Sequence, residues 1–303
     1  MIIFDGYQLA AQKEAQLREQ VAASQSPIGI GAVLFDEDAG SQLYTRLKQQ
    51  AAERVGISYQ VRHFSVTDTV DEVVLAIQQL NQDTEITGII IQKPTKKVWL
   101  SHQTNTTSLV FAEWWGSLVS RIAIDKDVDG LHPETLEAVR RGDWREKGMV
   151  LPATCQAVVE VIEQAKMVVA AESNATSQHN HPEKVVIIGV SDLLGTPLFF
   201  ELQTRGYEVE LLTRRQFRQR VESGQGLQDA SIIVSATGQK QLITGDLIAH
   251  NSIIIDVGEP FPDVNRQSVS QKAALLTPVP GGVGPMTVIC LLENALRVSQ
   301  SAK

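Results

Sequence analysis

The stretch Lys184-Val-Val-Ile-Ile-Gly-Val-Ser-Asp-Leu-Leu-Gly195 decides the fold of this chain. Its opening run of β-branched residues predicts a buried strand over 184–189, and a helix is predicted over 193–204. A strand, a tight turn and a helix N-terminus together form the cradle in which α/β proteins bind the pyrophosphate of a dinucleotide. The turn is Gly-x-Ser-x-x-x-Gly instead of Gly-x-Gly-x-x-Gly, so by itself it is also compatible with an ordinary strand-to-helix turn.

The segments that follow this turn continue the same architecture. Further short apolar strands are predicted at 208–213, 231–235, 252–257 and 274–277. Ala236-Thr237-Gly238 and Asp256-Val257-Gly258 come directly after two of these strands, where glycine lets the backbone pass close to a flat ligand, although turn chemistry alone is an alternative explanation. The series predicts a Rossmann-type dinucleotide-binding domain.

The end of the second strand carries the information about cofactor choice. In a βαβ unit this position lies beside the adenosine ribose, where NAD enzymes usually place a carboxylate. This chain has Thr213-Arg214-Arg215 there, and guanidinium groups can pair with a 2′-phosphate. The sequence therefore favours NADP over NAD. The alternative is that both arginines only solvate the start of a polar helix that also holds Arg218 and Arg220.

The N-terminal half shows the same alternation of helix and strand patterns. Helices are predicted at 8–23, 41–55, 69–80 and 154–169, and strands at 27–35, 58–64 and 87–91. The tryptophan-containing segment 95–121 has no clear pattern, and the polar segment 172–182 is predicted to be a surface loop. A last helix over 287–299 is expected to return to the first domain. We therefore predict an α/β protein with a catalytic domain at 1–150 plus 287–303 and a Rossmann domain at 151–286.

Composition excludes several other classes of protein. The 303 residues are 43% hydrophobic and 20% charged, which is typical of a globular chain of two domains. The net charge of −8 argues against a nucleic-acid surface. Cys155 and Cys290 lie in apolar contexts typical of reduced core thiols, and neither a signal peptide nor a membrane span is recognisable, so we expect a cytoplasmic location and no membrane partner. His179 and His181 lack companion ligands, so no metal site is predicted.

Two features of the first half point to chemistry. Tyr44 and Lys48 are four residues apart on a predicted helix, so both side chains project from one face, where the phenol can stack on a planar substrate and the ammonium can transfer a proton. A solvent-facing amphipathic pair is the alternative. The Tyr-x-x-x-Lys pattern of short-chain dehydrogenases is excluded, because in those enzymes the dinucleotide turn precedes the pair. Gln92 ends an apolar strand at the carboxyl edge, where α/β sheets assemble their sites.

Two further strings are more specific. Lys126-Asp-Val-Asp-Gly130 places two carboxylates beside a lysine, which is also compatible with a surface turn or a metal loop. Thr277-Pro-Val-Pro-Gly-Gly-Val-Gly-Pro-Met-Thr287 combines three prolines with three glycines and enters a helix. A loop of this composition suits close backbone contact with a ligand.

Taken in this order, the strings resemble the bifunctional methylenetetrahydrofolate dehydrogenase/methenyltetrahydrofolate cyclohydrolase family, often called FolD. The resemblance extends from Asp5-Gly6 to Thr287, and the two strings of the preceding paragraph are similar to the family's two signature regions. Val190 is a departure, since the family usually has Gly-Arg-Ser at the dinucleotide turn. Arg214 and Arg215 are expected to compensate for the missing arginine.

The resemblance implies oxidation of 5,10-methylenetetrahydrofolate with NADP and hydrolysis of the product to 10-formyltetrahydrofolate, within one-carbon metabolism and purine biosynthesis. It implies that Tyr44 stacks on the aminobenzoyl ring, that Lys48 is the general acid/base held by Gln92, and that Asp129 binds the pterin amino edge. The folate-lining loop would contain Pro280, Gly281 and Gly282. The implied cofactor-binding residues are Gly189, Val190, Ser191, Gly195, Thr213, Arg214, Arg215, Ala236, Thr237, Gly238, Val257, Gly258 and Thr287. A homodimer is expected, as is common in the family.

Two other functions remain open at this point. A different two-domain Rossmann oxidoreductase, of the shikimate or amino-acid dehydrogenase kind, would not require the Lys126–Gly130 and Pro278–Thr287 strings. A folate-binding homologue that has lost one activity is the second alternative, because Val190 departs from the family pattern; the presence of Tyr44, Lys48, Gln92 and Asp129 argues against it.

Overall fold

A computed structural model describes residues 1–103, 107–173 and 183–301. The strands are β1 (Ile2–Ile3), β2 (Gly29–Phe35), β3 (Ser58–Phe64), β4 (Gly88–Ile91), β5 (Lys184–Ile188), β6 (Glu208–Leu212), β7 (Ile232–Ser235), β8 (Ile253–Asp256) and β9 (Leu275–Leu276). The helices are α1 (Gly6–Ala22), α2 (Ala39–Val55), α3 (Val70–Gln82), α4 (Lys96–Ser101), α5 (Ser108–Val119), α6 (Pro133–Arg141), α7 (Ala153–Ser173), α8 (Gly195–Thr204), α9 (Arg214–Glu222), α10 (Arg266–Val269) and α11 (Val283–Ser301).

The chain divides into two compact units. The larger-sheet unit consists of Met1–Ala11, Val139–Gly142 and Thr154–Cys290, and the smaller-sheet unit consists of Gln12–Ala138, Asp143–Ala153 and Leu291–Lys303. The division differs from the predicted domain boundaries at the N-terminus, because β1 pairs with β9 and so joins the larger sheet. The boundaries of the functional domains stay a prediction.

Within the described residues, the larger sheet has the strand order β1-β9-β8-β7-β5-β6, and all its pairings are parallel. Every residue of β7 and β8 is buried, as expected for Val- and Ile-rich strands whose two faces are both covered. The order changes direction beside β5, so the carboxyl ends of β5, β7 and β8 border the position where α/β sheets bind their ligands. The predicted strands all lie within one or two residues of the observed ones.

The smaller sheet has the order β3-β2-β4 among the described residues, again with parallel pairing. Its central strand β2 is buried over its whole length. Gly56 ends α2 in the left-handed region, with a φ of 85°, and its N–H bonds the last turn of the helix. These constraints fix α2 against the sheet, with Lys48 on the buried face of the helix.

The segment 95–121, which the sequence left unassigned, contains α4 and α5. The two helices bring together an aromatic cluster in which the ring centroids of Trp99 and Trp114 lie 5.4 Å apart, and those of Phe35 and Trp114 lie 5.1 Å apart. Because α5 is apolar on most of its surface, its sequence lacks the polar face that identifies an amphipathic helix.

Two predicted helix boundaries need correction. The last helix begins at Val283 and not at Thr287, because Gly284 and Pro285 lie in its first turn. Backbone N–H groups of a first turn have no partner within the helix, so proline loses no hydrogen bond there. The loop predicted from residue 172 begins later, since α7 extends to Ser173. The rest of that predicted loop, including His179 and His181, lies outside the described residues.

The final helix contributes to the smaller-sheet unit from Leu291 onward. The fully buried amide of Asn294 donates to the carbonyl oxygens of Val128 and Leu151, each at 3.0 Å. The predicted fold class is confirmed: it is an α/β protein with two sheets of parallel strands and a C-terminal helix that returns to the first domain. No helix within residues 1–103, 107–173 and 183–301 has the length and apolar character needed to cross a membrane.

Candidate active site

Lys48 and Gln92 form the centre of the polar group in the smaller-sheet unit. Lys48 lies on α2 with only 6% of its surface exposed, and Gln92 directly follows β4. The Lys48 Nζ donates a hydrogen bond to Gln92 Oε1 at 2.8 Å. The amide oxygen therefore fixes the position of an ammonium group that protein surrounds on most sides. Tyr44 lies half-buried one helical turn before Lys48, on the same side of α2.

The three charged residues of the string Lys126–Gly130 have different environments. Lys126 Nζ donates to the carbonyl oxygens of Asn81 and Asp83, at 2.8 and 2.9 Å, and so caps the end of α3. Burial lowers the pKa of Lys126, and the charges of Asp125 and Asp83 act in the opposite direction. The hydrogen bonds of Lys126 therefore attach the Lys126–Gly130 loop to the end of α3.

Asp127 is the structural carboxylate of the same string. It is buried and accepts hydrogen bonds from the backbone N–H groups of Leu131 and His132, at 3.1 and 3.0 Å, and from the hydroxyl of Thr135 at 2.7 Å. Burial raises its pKa, although these hydrogen bonds act to lower it. The carboxylate shapes the turn that leads into α6.

Asp129 is the remaining carboxylate, and it lies within electrostatic range of Lys48. Burial raises its pKa to about 6, the charge of Lys48 acts to lower it, and the charge of Asp127 raises it further. The neighbouring Gly130 has a φ of 70°, and a Cβ there would lie 2.6 Å from the backbone nitrogen of Pro152. Only glycine fits this position, so the turn holds Asp129 in one orientation.

Tyr59 is a member of this neighbourhood that the sequence did not indicate. It lies half-buried on β3, and its pKa is raised by burial and by the charge of Asp129. The phenol is therefore within electrostatic range of the Asp129 carboxylate. In the sequence it is an unremarkable member of an alternating strand, so no signal could have identified it.

The turn after β5 in the larger-sheet unit has the construction of a pyrophosphate cradle. Gly189 has a φ of 122°, and a Cβ on Gly195 would lie 1.7 Å from the carbonyl oxygen of Gly189. Both positions therefore require glycine, and the N-terminus of α8 approaches the turn at Gly195. Ser191 and Val190 are exposed on the turn, where Val190 offers no charge to a phosphate. These residues fit an NAD(P) pyrophosphate, whose charge the backbone N–H groups and the helix N-terminus would neutralise.

The carboxyl end of β6 opens into a basic pocket. Thr213 caps α9 through a reciprocal pair of hydrogen bonds with Gln216, and Arg214 and Arg215 are exposed at the first two helical positions. The pocket has a volume of about 470 Å³ and is lined by Arg214, Arg215, Arg218, Gln219, Glu222 and Gln239. The residues predicted to bind a 2′-phosphate thus line a shallow, open pocket that contains three guanidinium groups and the carboxylate of Glu222.

Asp263 ties together the loops that follow β7 and β8. It is fully buried, and its Oδ2 accepts hydrogen bonds from the hydroxyl of Ser235 and the N–H of Thr237, both at 2.7 Å. Asp256 lies beside it and accepts from the N–H of Gly258 at 2.9 Å. Burial raises the pKa of Asp256 to about 6, and the charge of Asp263 raises it further. The role of Asp263 could not be recognised from the sequence, because this carboxylate lies in a polar segment and its partners are 28 and 26 residues away.

The glycine-rich string that ends in α11 belongs to the larger-sheet unit. Gly281 has a φ of 101°, and its carbonyl oxygen accepts a hydrogen bond from the N–H of Gly6 at 3.0 Å. Pro280 follows a cis peptide bond, and Gly282 donates to the carbonyl of Pro278 at 2.8 Å. Thr287 lies in α11 and donates to the carbonyl of Val283. Pro280, Gly281 and Gly282 therefore share a unit with the dinucleotide turn, whereas Tyr44, Lys48, Gln92 and Asp129 lie in the other unit.

The turn after β5 at the edge of a parallel sheet and the buried lysine–amide pair define the chain as a two-unit α/β protein of the dinucleotide-binding class. Residues 4–129 match the family model described as the catalytic domain of tetrahydrofolate dehydrogenase/cyclohydrolase, and residues 152–303 match the NAD(P)-binding domain of the same enzymes. The chain belongs to the tetrahydrofolate dehydrogenase/cyclohydrolase family. The predicted enzyme class, folate substrate and nicotinamide cofactor are confirmed.

Individual relatives are similar to this chain over nearly its whole length. The bifunctional protein FolD of Moorella thermoacetica is 32% identical, with 98% of each chain covered. The crystal structure of the bifunctional FolD of Campylobacter jejuni superimposes with a TM-score of 0.80 at 26% identity and covers 99% of this chain and 98% of its own. The Trypanosoma brucei FolD, solved with NADP and an inhibitor, gives a TM-score of 0.81 at 25% identity and covers 100% and 98% of the two chains.

Proposed function

We propose that this chain catalyses both reactions of its family. In the first, 5,10-methylenetetrahydrofolate transfers a hydride to NADP, which leaves the 5,10-methenyl cation. In the second, water adds to the methenyl carbon, one carbon–nitrogen bond breaks, and 10-formyltetrahydrofolate and a proton are released. The observation that carries the proposal is the buried Lys48 held by Gln92 at 2.8 Å, with the Asp129 carboxylate in electrostatic range.

The residues of the smaller-sheet unit divide the work as follows. Lys48 Nζ, as the neutral amine, takes a proton from the attacking water and, as the resulting ammonium, returns one to the departing nitrogen. Gln92 Oε1 keeps that nitrogen in place. The Asp129 carboxylate accepts hydrogen bonds from the pterin amino edge, and Tyr44 packs its ring on the aminobenzoyl ring.

The hydride step needs positioning rather than acid or base help, since the substrate nitrogen drives the hydride out. Pro280, Gly281 and Gly282 would line the folate, and the turn after β5 would hold the pyrophosphate. The remaining cofactor contacts come from the loops after β6, β7 and β8, namely Thr213, Arg214, Arg215, Ala236, Thr237, Gly238, Val257 and Gly258, with Thr287 on α11. We favour NADP because of the arginine pocket beyond β6.

The test of the proposal is a spectrophotometric assay of methylenetetrahydrofolate oxidation with NADP and with NAD, followed by methenyl decay. Lys48→Ala is expected to abolish methenyl hydrolysis while the protein stays folded by circular dichroism. Lys97→Ala, at an exposed lysine of the same unit, is the matched control and should hydrolyse the substrate normally. Unchanged hydrolysis in Lys48→Ala would remove Lys48 from the mechanism.

We further propose a cytoplasmic homodimer without nucleic-acid or membrane partners. Cys155 and Cys290 are buried and form no disulfide, which supports the cytoplasmic location, and the net charge of −8 argues against a nucleic-acid partner. The homodimer is proposed because that state is common in the family. Sedimentation equilibrium would test it, since a mass of one chain at micromolar concentration would exclude the dimer.

A further inference from the structure

Asp38 joins the two elements that carry Lys48 and Gln92. It is 3% exposed and sits at the N-cap of α2, where its Oδ1 accepts a hydrogen bond from the N–H of Ser41 at 2.9 Å. Its Oδ2 accepts from the N–H of Thr95 at 2.6 Å. One carboxylate therefore binds both the start of α2 and the segment that follows β4.

The segment after β4 has two further attachments near this point. The hydroxyl of Ser41 donates to the carbonyl oxygen of Lys93 at 3.2 Å, and the Lys93 Nζ lies 4.8 Å from the ring centroid of Trp115. Burial acts to raise the pKa of Asp38, but the hydrogen bonds from Ser41 and Thr95 outweigh burial and lower it. Asp38 is accordingly an anion that hydrogen bonds from Ser41 and Thr95 satisfy.

We propose that Asp38 is a positioning residue that sets the alignment of Lys48 against Gln92. Lys48 is carried by the rigid helix that Asp38 caps, and Gln92 lies three residues before the Thr95 N–H that the same carboxylate holds. Releasing the Thr95 contact lets the segment after β4 move relative to α2 and lengthens the Lys48–Gln92 hydrogen bond. The catalytic consequence rests on the function proposed above, whereas the geometric consequence does not.

Asp38→Asn separates this role from simple helix capping. Asparagine is as good an N-cap as aspartate, so its oxygen retains the bond from Ser41. The amide nitrogen that replaces the second oxygen cannot accept from Thr95 N–H. The variant thus keeps the cap and loses the link, so its thermal stability falls little while the alignment is lost.

The first measurement is the rate of Lys48 acetylation by acetic anhydride, followed by peptide mass spectrometry and referred to Lys97 as an internal exposed lysine. Asp38→Asn is expected to raise the acetylation rate of Lys48 about fivefold, because the hydrogen bond from Lys48 to Gln92 no longer protects the amine. In the cyclohydrolase assay the same variant should lower kcat about tenfold or more, with a smaller change in KM, because misplacement affects the transition state more than binding.

Thr95 provides a second pair of variants that leaves Asp38 in place. Thr95 has a φ of −62°, which proline adopts without strain, so Thr95→Pro deletes the N–H donor at this position. Thr95→Ala keeps the N–H and removes the hydroxyl, which caps α4 and also bonds the Asp38 carboxylate. The proposal expects Thr95→Pro to reproduce Asp38→Asn and Thr95→Ala to have a clearly smaller effect on Lys48, because the N–H link remains.

Thr69→Ala is the matched control for lost capping, because Thr69 caps α3 in the same unit. It should lower the melting temperature without altering Lys48 acetylation. A Lys48 rate within about twofold of the unmodified protein in both Asp38→Asn and Thr95→Pro overturns the proposal. If the unmodified protein hydrolyses no methenyltetrahydrofolate, the proposed function fails instead, and the acetylation rates still decide the role of Asp38.

Discussion

Asp129 and Asp127 are two carboxylates of one string with different environments. Asp127 has three hydrogen-bond donors around it, whereas Asp129 has a pKa raised to about 6 and lies within electrostatic range of Lys48. A carboxylate that ionises near pH 6 in the folded protein, and near 3.8 when unfolded, disfavours folding once it is charged. The charge that is proposed to bind the pterin is therefore maintained at some expense in stability.

We predict that Asp129→Asn stabilises the protein at pH 8 and weakens the substrate site. Because the folded pKa is raised, the contribution of Asp129 to stability is fully present below pH 3.8 and is lost as the pH rises through about 6. The variant should gain on the order of 2 kcal/mol in the free energy of unfolding at pH 8. Urea unfolding at pH 8 and pH 4 measures the gain, which should vanish at the lower pH.

Substrate turnover supplies the second half of this prediction. In the unmodified enzyme kcat/KM should fall as the pH decreases through about 6, and Asp129→Asn should have low activity throughout. Asp125→Asn is the control, because Asp125 is an exposed carboxylate of the same unit. It should change neither the free energy of unfolding nor kcat/KM. An Asp129→Asn protein no more stable than the original at pH 8 would contradict the assignment.

At the scale of residues, sequence reasoning could predict the positions that belong to a short local motif. Gly189 and Gly195 could be predicted because a strand-to-helix phosphate turn needs glycine. The role of Lys48 was predicted from the family resemblance, because its spacing to Tyr44 alone also fits a solvent-facing pair. Asp38, Tyr59 and Asp263 could not be assigned roles, because their partners lie far away in the chain. Asp38, for example, meets Thr95 at a separation of 57 residues.

The helix α9 presents its arginines at the carboxyl end of β6, so cofactor choice belongs to the scale of elements. We predict that Arg214→Ala or Arg215→Ala raises the KM for NADP about tenfold and leaves the KM for NAD nearly unchanged, since each removes a charged hydrogen-bond donor from the phosphate pocket. Steady-state dehydrogenase assays with both cofactors measure the ratio.

Arg266→Ala is the control for this experiment, because Arg266 is an exposed arginine at the start of another helix in the same unit. It should leave both KM values as they are. Equal losses with NADP and NAD in the α9 variants would argue against a contact with the 2′-phosphate.

The loops after β7 and β8 should depend on Asp263. We predict that Asp263→Ala raises the KM for NADP and lowers the free energy of unfolding by about 2–3 kcal/mol, because it leaves the Ser235 hydroxyl and the Thr237 N–H buried without a partner. Hydrolysis of supplied methenyltetrahydrofolate, which requires no hydride transfer, should continue. Asp246→Ala, at an exposed position, serves as the comparison, and equal KM values in the two variants would count against the predicted role.

Elements were predictable wherever their pattern was periodic. The strand at 58–64 was predicted with its observed bounds, and most others were displaced by one or two residues. The helix α5 escaped prediction because most of its surface is apolar, and α4 escaped because its six residues are too few to show a helical period. The start of α11 was misplaced because glycine and proline usually mark loops, whereas here they form a first helical turn.

At the scale of the whole molecule, the two cysteines report on the integrity of the larger-sheet unit. Cys155 and Cys290 both have 0% exposure, and burial, followed by the charge of Glu201, raises the pKa of Cys155 well above its usual range. We predict that neither thiol reacts with a disulfide reagent in the native protein and that both react when that unit unfolds. Reaction kinetics measured across a urea series would show this, and rapid labelling of either thiol without urea would contradict it.

The strand β1 and the buried amide of Asn294 lead to a consequence for biosynthesis. The first residues of the chain complete the larger sheet beside β9, and Asn294, close to the last described residue, donates to the carbonyl oxygens of Val128, which precedes Asp129, and of Leu151. While the chain is being translated, the N-terminal strand must wait for a partner made more than 270 residues later. The folate-binding half likewise remains open at Val128 and Leu151 until the final helix leaves the ribosome. Neither half can complete its hydrogen bonding during most of synthesis, so both should mature late and nearly together, and the unfinished chain would be a natural client for chaperones.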